Sequence, residues 1–266
     1  MSNLKIAFPG IFNDALTITP SSTVDTDRNE FNLPRGRRDH RFRFSATSTN
    51  ETIKCDLGSG NTQSADFCIL TRADLIDNVS QILVRRSTDD VSYTTEHTQS
   101  TFVAGTDLLG RNDDDLLMTF TQTSAYRYWL IDYTASSASD FEHSKLYLGN
   151  LFDPGKDPAS INVLSRVTQI QDFIADDGTR YQGRVRNLEY EIRVLWEGLT
   201  DANADSLYDN LTDRHKRFCY LYQDSATNQL AGEKFIHCMT DKGSISRQQV
   251  YLDWNTVGCT FLEMTG

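Results

Sequence analysis

Leu188-Glu-Tyr-Glu-Ile-Arg-Val-Leu-Trp196 puts Leu188, Tyr190, Ile192, Val194 and Trp196 on one side of an extended chain and Glu189, Glu191 and Arg193 on the other. A period of two sustained over nine residues is that of a strand with one buried face, because successive side chains of a strand point to opposite sides. Working outward, Thr200-Asp-Ala-Asn-Ala-Asp-Ser-Leu-Tyr-Asp-Asn-Leu211 opens with an N-cap residue and an acidic first turn. It places Ala204, Leu207, Tyr208 and Leu211 at helical spacing, so a helix is expected from Thr200 toward His215. Before the deciding stretch, Asp177-Gly178 is a hairpin turn between strands expected at Val167–Phe173 and Arg180–Val185. After it, Lys216–Tyr222, Lys234–Met239 and Gln249–Met264 read as strands. Residues 158–266 are therefore expected to form an antiparallel sheet with one helix packed on it, an α+β unit.

The densest Pro/Gly punctuation in the chain, Pro154-Gly-Lys-Asp-Pro158, separates this unit from residues 1–157. Charge does not shift across it: 15 basic and 22 acidic residues precede the boundary, 11 and 15 follow it. Upstream, short apolar runs alternate with Ser/Thr/Asn/Asp/Gly clusters. Strands are expected at Arg41–Ala46, Thr52–Leu57, Ser64–Thr71, Gln81–Ser87, Leu116–Thr121, Tyr126–Tyr133 and Ser144–Leu151, and Ala73–Val79 could make two helical turns at most. This spacing of strands and turns predicts an all-β sandwich or barrel, and the whole chain reads as mainly β.

Composition narrows the function. The 266 residues carry a net charge of −11, which repels phosphate backbones and argues against specific nucleic-acid binding. No run of apolar residues is long enough to span a bilayer, and Met1-Ser-Asn-Leu-Lys-Ile-Ala-Phe-Pro9 has no apolar signal region, so neither a membrane span nor a cleaved export signal is expected. The five cysteines, Cys55, Cys68, Cys219, Cys238 and Cys259, are odd in number, lack a C-x-x-C spacing and lie in apolar or alternating segments. They read as buried free thiols, and the five histidines add no zinc-ligand pair. The glycosylation sequons at Asn50, Asn78 and Asn210 matter only in a secreted chain.

The motifs of common catalytic sites are missing: G-x-S-x-G, H-E-x-x-H, a Gly-Lys-Ser/Thr phosphate loop and G-x-G-x-x-G. The expectation is a protein that is not an enzyme and carries no cofactor. A nucleophile with a distant histidine would be the hydrolase alternative. Asn112-Asp-Asp-Asp115 is read as a solvated charged loop, with calcium chelation the other option. Tyr126, Tyr128, Trp129 and Tyr133 suggest sugar stacking, but Trp129, Ile131 and Tyr133 alternate as a core face, which is the reading preferred. The basic counterpart is Pro34-Arg-Gly-Arg-Arg-Asp-His-Arg-Phe-Arg-Phe44, with Arg35, Arg37, Arg38, Arg41 and Arg43 inside nine residues. In an acidic chain these arginines are expected to pair with carboxylates of a neighbouring subunit.

Two resemblances follow from these residues. Ile53-Lys-Cys-Asp-Leu-Gly58, Phe67-Cys-Ile-Leu-Thr71, Val84-Arg-Arg-Ser-Thr-Asp89, Tyr126-Arg-Tyr-Trp-Leu-Ile-Asp132 and Leu146-Tyr-Leu-Gly149 resemble, in order and type, the strands of discoidin-like (galactose-binding-like) jelly rolls over about 40–151. Leu188–Leu199, the following helix, Phe218-Cys-Tyr-Leu-Tyr222 and the closing strands resemble the tail-tube and distal-tail domains of tailed bacteriophages over about 165–266. The resemblance implies a structural virion protein: a distal-tail, baseplate or tail-adaptor (minor tail) subunit, assembled in the host cytoplasm. Its partners would be itself, in a ring expected to be a hexamer, and other tail proteins, with DNA at most passing through the channel. An acidic lining would let DNA slide without sticking. The jelly roll preceding the tail unit departs from the usual order of distal-tail proteins. The alternative reading is a carbohydrate-binding jelly roll for host-surface attachment.

Overall fold

The computed structural model describes residues 4–8, 10–22, 24, 26–34, 41–44, 50–71, 73, 78–104, 107–109, 115–121, 124–135, 142–166, 172–174, 180–182, 189–213, 218–223 and 235–263. The chain is mainly β, and its sheets are stacked in layers.

The outermost layer is a five-stranded antiparallel sheet in the order β2 (Thr17–Pro20), β4 (Asn50–Asp56), β10 (Tyr128–Ala135), β6 (Val79–Ser87), β7 (Thr94–Gln99). Below it lies a four-stranded antiparallel sheet, β12 (Leu146–Gly149), β5 (Phe67–Leu70), β9 (Asp115–Thr119), β8 (Leu108–Leu109). Between them Ile53, Cys55, Val84, Trp129, Ile131 and Tyr133 from the first sheet meet Cys68, Leu70, Leu116, Met118, Leu146 and Leu148 from the second, all buried. The pair β3 (Phe42–Arg43) and β11 (Glu142–His143) closes one side of this sandwich, and a short helix, α1 (Ile11–Asp14), supplies Ile11 and Phe12 to its core. Alternation in β10 is thus a core signal, with Trp129, Ile131 and Tyr133 inward; Tyr126 is partly buried against the same core.

The third layer is a seven-stranded antiparallel sheet, in the order β13 (Leu151–Phe152), β1 (Leu4–Ala7), β18 (Phe218–Gln223), β19 (Phe235–Tyr251), β20 (Trp254–Glu263), β17 (Glu189–Leu199), β14 (Ser160–Arg166). A small hairpin pairs β15 (Asp172–Ile174) with β16 (Arg180–Gln182) in antiparallel fashion; the Asp177-Gly178 turn expected between them lies outside the described residues. The helix α2 (Asp201–Thr212) packs on one face of the large sheet. Its cap is the one the sequence announces: the Thr200 hydroxyl oxygen accepts the Asn203 N–H at 3.3 Å. Ala204, Leu207 and Leu211 enter the core formed by Ile192, Val194, Trp196, Val257, Cys259 and Phe261.

Several expectations change. Gln249–Met264 is not one strand: Leu252 and Asp253 turn the chain, Asp253 with φ +56°, and β20 lies inside the sheet between β19 and β17. Among the described residues the edges of this sheet are β13 and β14, the latter a strand the sequence reading missed. Of the expected strand Val167–Phe173, only residues 172–173 lie within the described residues, in β15. Most of the turns expected at Ala73–Val79 also fall outside them, and Val79 itself begins β6. A division after residue 157 would place Leu4–Ala7 and Leu151–Phe152 with the sandwich, yet both strands pair in the seven-stranded sheet, β1 between β13 and β18.

The four-stranded sheet is covered on both faces. Leu70 and Leu148 point into the sandwich, while Phe67, Ile69 and Tyr147 point the other way, onto Ala7 and Tyr220 of the large sheet. Every residue of β5 and β12 is buried for this reason, which explains why Phe67-Cys-Ile-Leu70 reads as an unbroken apolar run instead of an alternating one.

Candidate functional site

The interface between the sandwich and the large sheet holds a cluster of buried polar groups. Tyr147 Oη and His237 Nε2 lie 3.2 Å apart, and the Tyr220 hydroxyl donates to Asp115 Oδ2 at 3.3 Å. The Tyr220 and His237 rings stack with centroids 4.6 Å apart, Tyr147 meets Tyr220 edge-on at 5.2 Å, and Lys145 Nζ sits 4.3 Å from the Tyr147 ring centre. Burial lowers the Lys145 ammonium to about 7, opposed by the nearby Cys219. A second buried histidine, His143, faces Tyr133 Oη at 3.2 Å inside the sandwich, and burial drops it to about 3. Both clusters are closed from solvent. They can hold layers together, but neither offers a substrate a place to enter.

A cleft of about 390 Å³ opens beside this interface, where α1, β13 and α2 approach one another. Its floor is built by close backbone contact: a Cβ on Gly10 would stand 2.6 Å from the Leu148 carbonyl oxygen. Phe8 and Phe152 form an edge-on pair at 6.0 Å in its wall. The polar rim is already organised: Gln63 Nε2 donates to Asp14 Oδ2 at 2.8 Å, and Asn150 Nδ2 to Ser64 Oγ at 2.9 Å. Asp153 Oδ1 accepts the Gly155 N–H at 2.7 Å. Amides, carboxylates and a hydroxyl around two aromatic rings can bind a neutral polyhydroxylated ligand; the sequence reading missed this cleft because its walls come from distant segments.

The residues singled out by sequence fare differently. Arg35, Arg37 and Arg38 lie outside the described residues. Arg41 is ion-paired within its own chain to Glu142, which Arg28 also reaches at 2.5 Å, and Arg43 stands opposite Glu142 in the β3–β11 pair. In Asn112–Asp115 only Asp115 is described; it is buried and bonded to Tyr220, an environment unlike a solvated loop. Among the described residues no three His, Cys, Asp or Glu side chains gather as metal ligands would. All five cysteines are free and buried.

The far end of the large sheet carries an unusual surface. Beyond Asn255, which pairs with Leu199, β19 and β20 continue without β17 alongside. At this tip Val250, Tyr251, Leu252 and Trp254 are 57%, 77%, 84% and 49% exposed. Large apolar groups collected at a hairpin tip are more informative than scattered ones.

No protein-family model matches the sequence, and no curated protein matches it. Solved structures do resemble about half of the chain. One is chitosan-binding module 1 of a chitosanase/glucanase from Paenibacillus sp. IK-5, at 16% identity and TM-score 0.41, covering 53% of this chain and 98% of that one. A second is a GH29 fucosidase of Ruminococcus gnavus in complex with fucose, at 13% identity and TM-score 0.43, covering 54% of this chain and 27% of the fucosidase. A third, from Clostridium perfringens, is CpGH89CBM32-5 with GalNAc-β-1,3-galactose, at 10% identity and TM-score 0.41, covering 54% and 99%. At these identities and scores the likeness does not place the chain in a family.

Proposed function

We propose that the chain is a structural subunit of a larger protein assembly, of the distal-tail or baseplate kind that its resemblance to tailed-phage proteins implies. The observation that carries this reading is the apolar hairpin tip formed by Val250, Tyr251, Leu252 and Trp254. Exposing such groups to water is unfavourable unless a partner covers them, and Tyr and Trp are the residues that most often anchor protein interfaces. An antiparallel sheet with one helix on its face agrees with the coarse expectation for the second half of the chain, and β14 leaves an edge for a neighbour to pair with. The buried histidines sit in closed polar clusters suited to holding layers together. Native mass spectrometry over a concentration series tests the proposal: a discrete oligomer supports it, and a monomer at every concentration up to millimolar overturns it.

The cleft favours a second reading, binding of a carbohydrate. Its organised amides and carboxylates beside Phe8 and Phe152 suit sugar hydroxyls and the apolar face of a pyranose ring. Calorimetric titration with neutral oligosaccharides, repeated on Asn150→Ala and Gln63→Ala, distinguishes the two: saturable heat lost in both variants supports the sugar site, and absence of heat removes it.

A further inference from the structure

Two of the cysteines face each other across a strand pair. Cys219 of β18 stands directly opposite Cys238 of β19 in the antiparallel register. Both are fully buried, and both belong to the core that α2 completes. The other three thiols have different neighbours. Cys259 lies opposite Val194, Cys55 opposite Trp129 and Ile18, and Cys68 opposite Leu148 and Met118. On its other side Cys238 faces Glu263.

Directly opposed residues of an antiparallel pair have Cα atoms about 4.5 or 5.5 Å apart, and a disulfide spans about 4.4–6.8 Å between Cα atoms. The register therefore supplies the spacing that a bridge needs, and neither strand has to slip. The pair also sits at a sensitive place. The next register pair is Tyr220 and His237, whose side chains lie on the other face of the sheet with ring centroids 4.6 Å apart. These two rings carry the polar contacts with Tyr147 and Asp115 of the sandwich. A covalent link between residues 219 and 238 would hold them in register.

We propose that Cys219 and Cys238 form a cross-strand disulfide under oxidising conditions, a covalent strap between β18 and β19 that the reduced chain lacks. The oxidant is a low-molecular-weight disulfide such as glutathione disulfide. The thiolate of one cysteine attacks a sulfur of the reagent and expels one thiolate, leaving a mixed disulfide. The thiolate of the other cysteine then attacks the protein-bound sulfur of that mixed disulfide and expels the second. The reagent takes up two electrons and the protons of both cysteines and leaves as two thiols, while the chain gains one S–S bond. Because both thiols are shut inside the closed sheet, the first attack waits until β18 and β19 part. The folded reduced chain reacts slowly, and a chain that folds in the presence of the reagent is bridged. A reducing compartment keeps the pair as thiols.

The test refolds the full chain from guanidinium in a glutathione redox buffer, alkylates it and digests it without reduction. Mass spectrometry should find one cross-linked peptide pair joining Cys219 to Cys238, with Cys55, Cys68 and Cys259 alkylated. Hydrogen exchange at residues 218–223 and 235–239 should slow by about tenfold on bridging and recover with dithiothreitol. Cys259→Ser should bridge as the wild type does, and Cys238→Ser should hold no internal bridge. Where refolding fails, the same buffer with sub-denaturing guanidinium parts the strands of the folded chain and gives the same readout. Recovery of Cys219 and Cys238 as alkylated thiols, or a bridge from either one to Cys259, overturns the proposal.

Discussion

Tyr147 of the sandwich and His237 of the seven-stranded sheet meet across a buried interface, hydroxyl oxygen to Nε2 at 3.2 Å, in a cluster that also holds Tyr220, Asp115 and Lys145. Two sheets that share such a contact are expected to unfold together. Trp129 reports on the sandwich core and Trp196 on the large sheet. Tyr147→Phe should lower stability by about 1–2 kcal/mol, the cost of removing one buried hydrogen bond, and should shift the denaturant transitions of both units equally. Transitions that separate, or a shift confined to one tryptophan, would show that the interface does not couple them.

Lys145 gives a pH dependence with a definite sign. Burial holds its folded-state value near 7, below the ordinary 10.5. Between these values the unfolded chain binds a proton that the folded chain does not, so stability should rise as pH increases from about 7 toward 10.5. Lys145→Met should be more stable than the wild type at pH 7, with the difference shrinking as pH rises through this window. Guanidinium titrations of both proteins at several pH values check this, and parallel curves would refute it.

The thiols should be silent. Burial lifts Cys55 and Cys219 to about 12 and raises Cys68, Cys238 and Cys259 above their ordinary value, and thiolates are the reactive form. Ellman's reagent should label none of the five in the native protein and all five in guanidinium. Fast labelling of any native cysteine would contradict its burial.

Gly198 and Gly60 form a controlled pair. Both have left-handed backbones, φ +71° and φ +82°, but a Cβ at Gly60 meets nothing within 4 Å. At Gly198 it would collide with Lys156 Nζ and stand 3.0–3.1 Å from the Trp254 ring. Gly60→Ala should cost about 1–2 kcal/mol, the left-handed penalty alone, and Gly198→Ala should cost more. Thermal unfolding of the two variants compares them directly; equal losses would mean that Lys156 and Trp254 move aside freely.

What the sequence disclosed depended on whether the physics was local. The alternation of Tyr190, Ile192, Val194 and Trp196 and the Thr200 cap sit within a dozen residues of chain, and β17 and α2 form where they indicate. Alternation in Trp129, Ile131 and Tyr133 likewise separated core from surface. By contrast, Leu4–Ala7 carries no sign that its partners are Tyr220–Gln223, because strand pairing at that separation leaves no local pattern. The long alternation after Gln249 hid a turn because Leu252 is not a turn residue by type. The cleft was illegible for a related reason: Asp14, Gln63, Asn150 and Asp153 converge only after three layers have packed.

The pairing of β1 between β13 and β18 also constrains how the protein is made. Strand β1 must wait for residues 218–223 before its sheet can close, a delay of more than two hundred residues. Long-range closure of this kind slows folding and prolongs exposure of unpaired edges. A fragment beginning at residue 158 would leave β18 with a bare edge on the side where β1 belongs. Supplying Leu4–Ala7 as a separate peptide, or fusing it after Glu263, should restore that fragment's solubility.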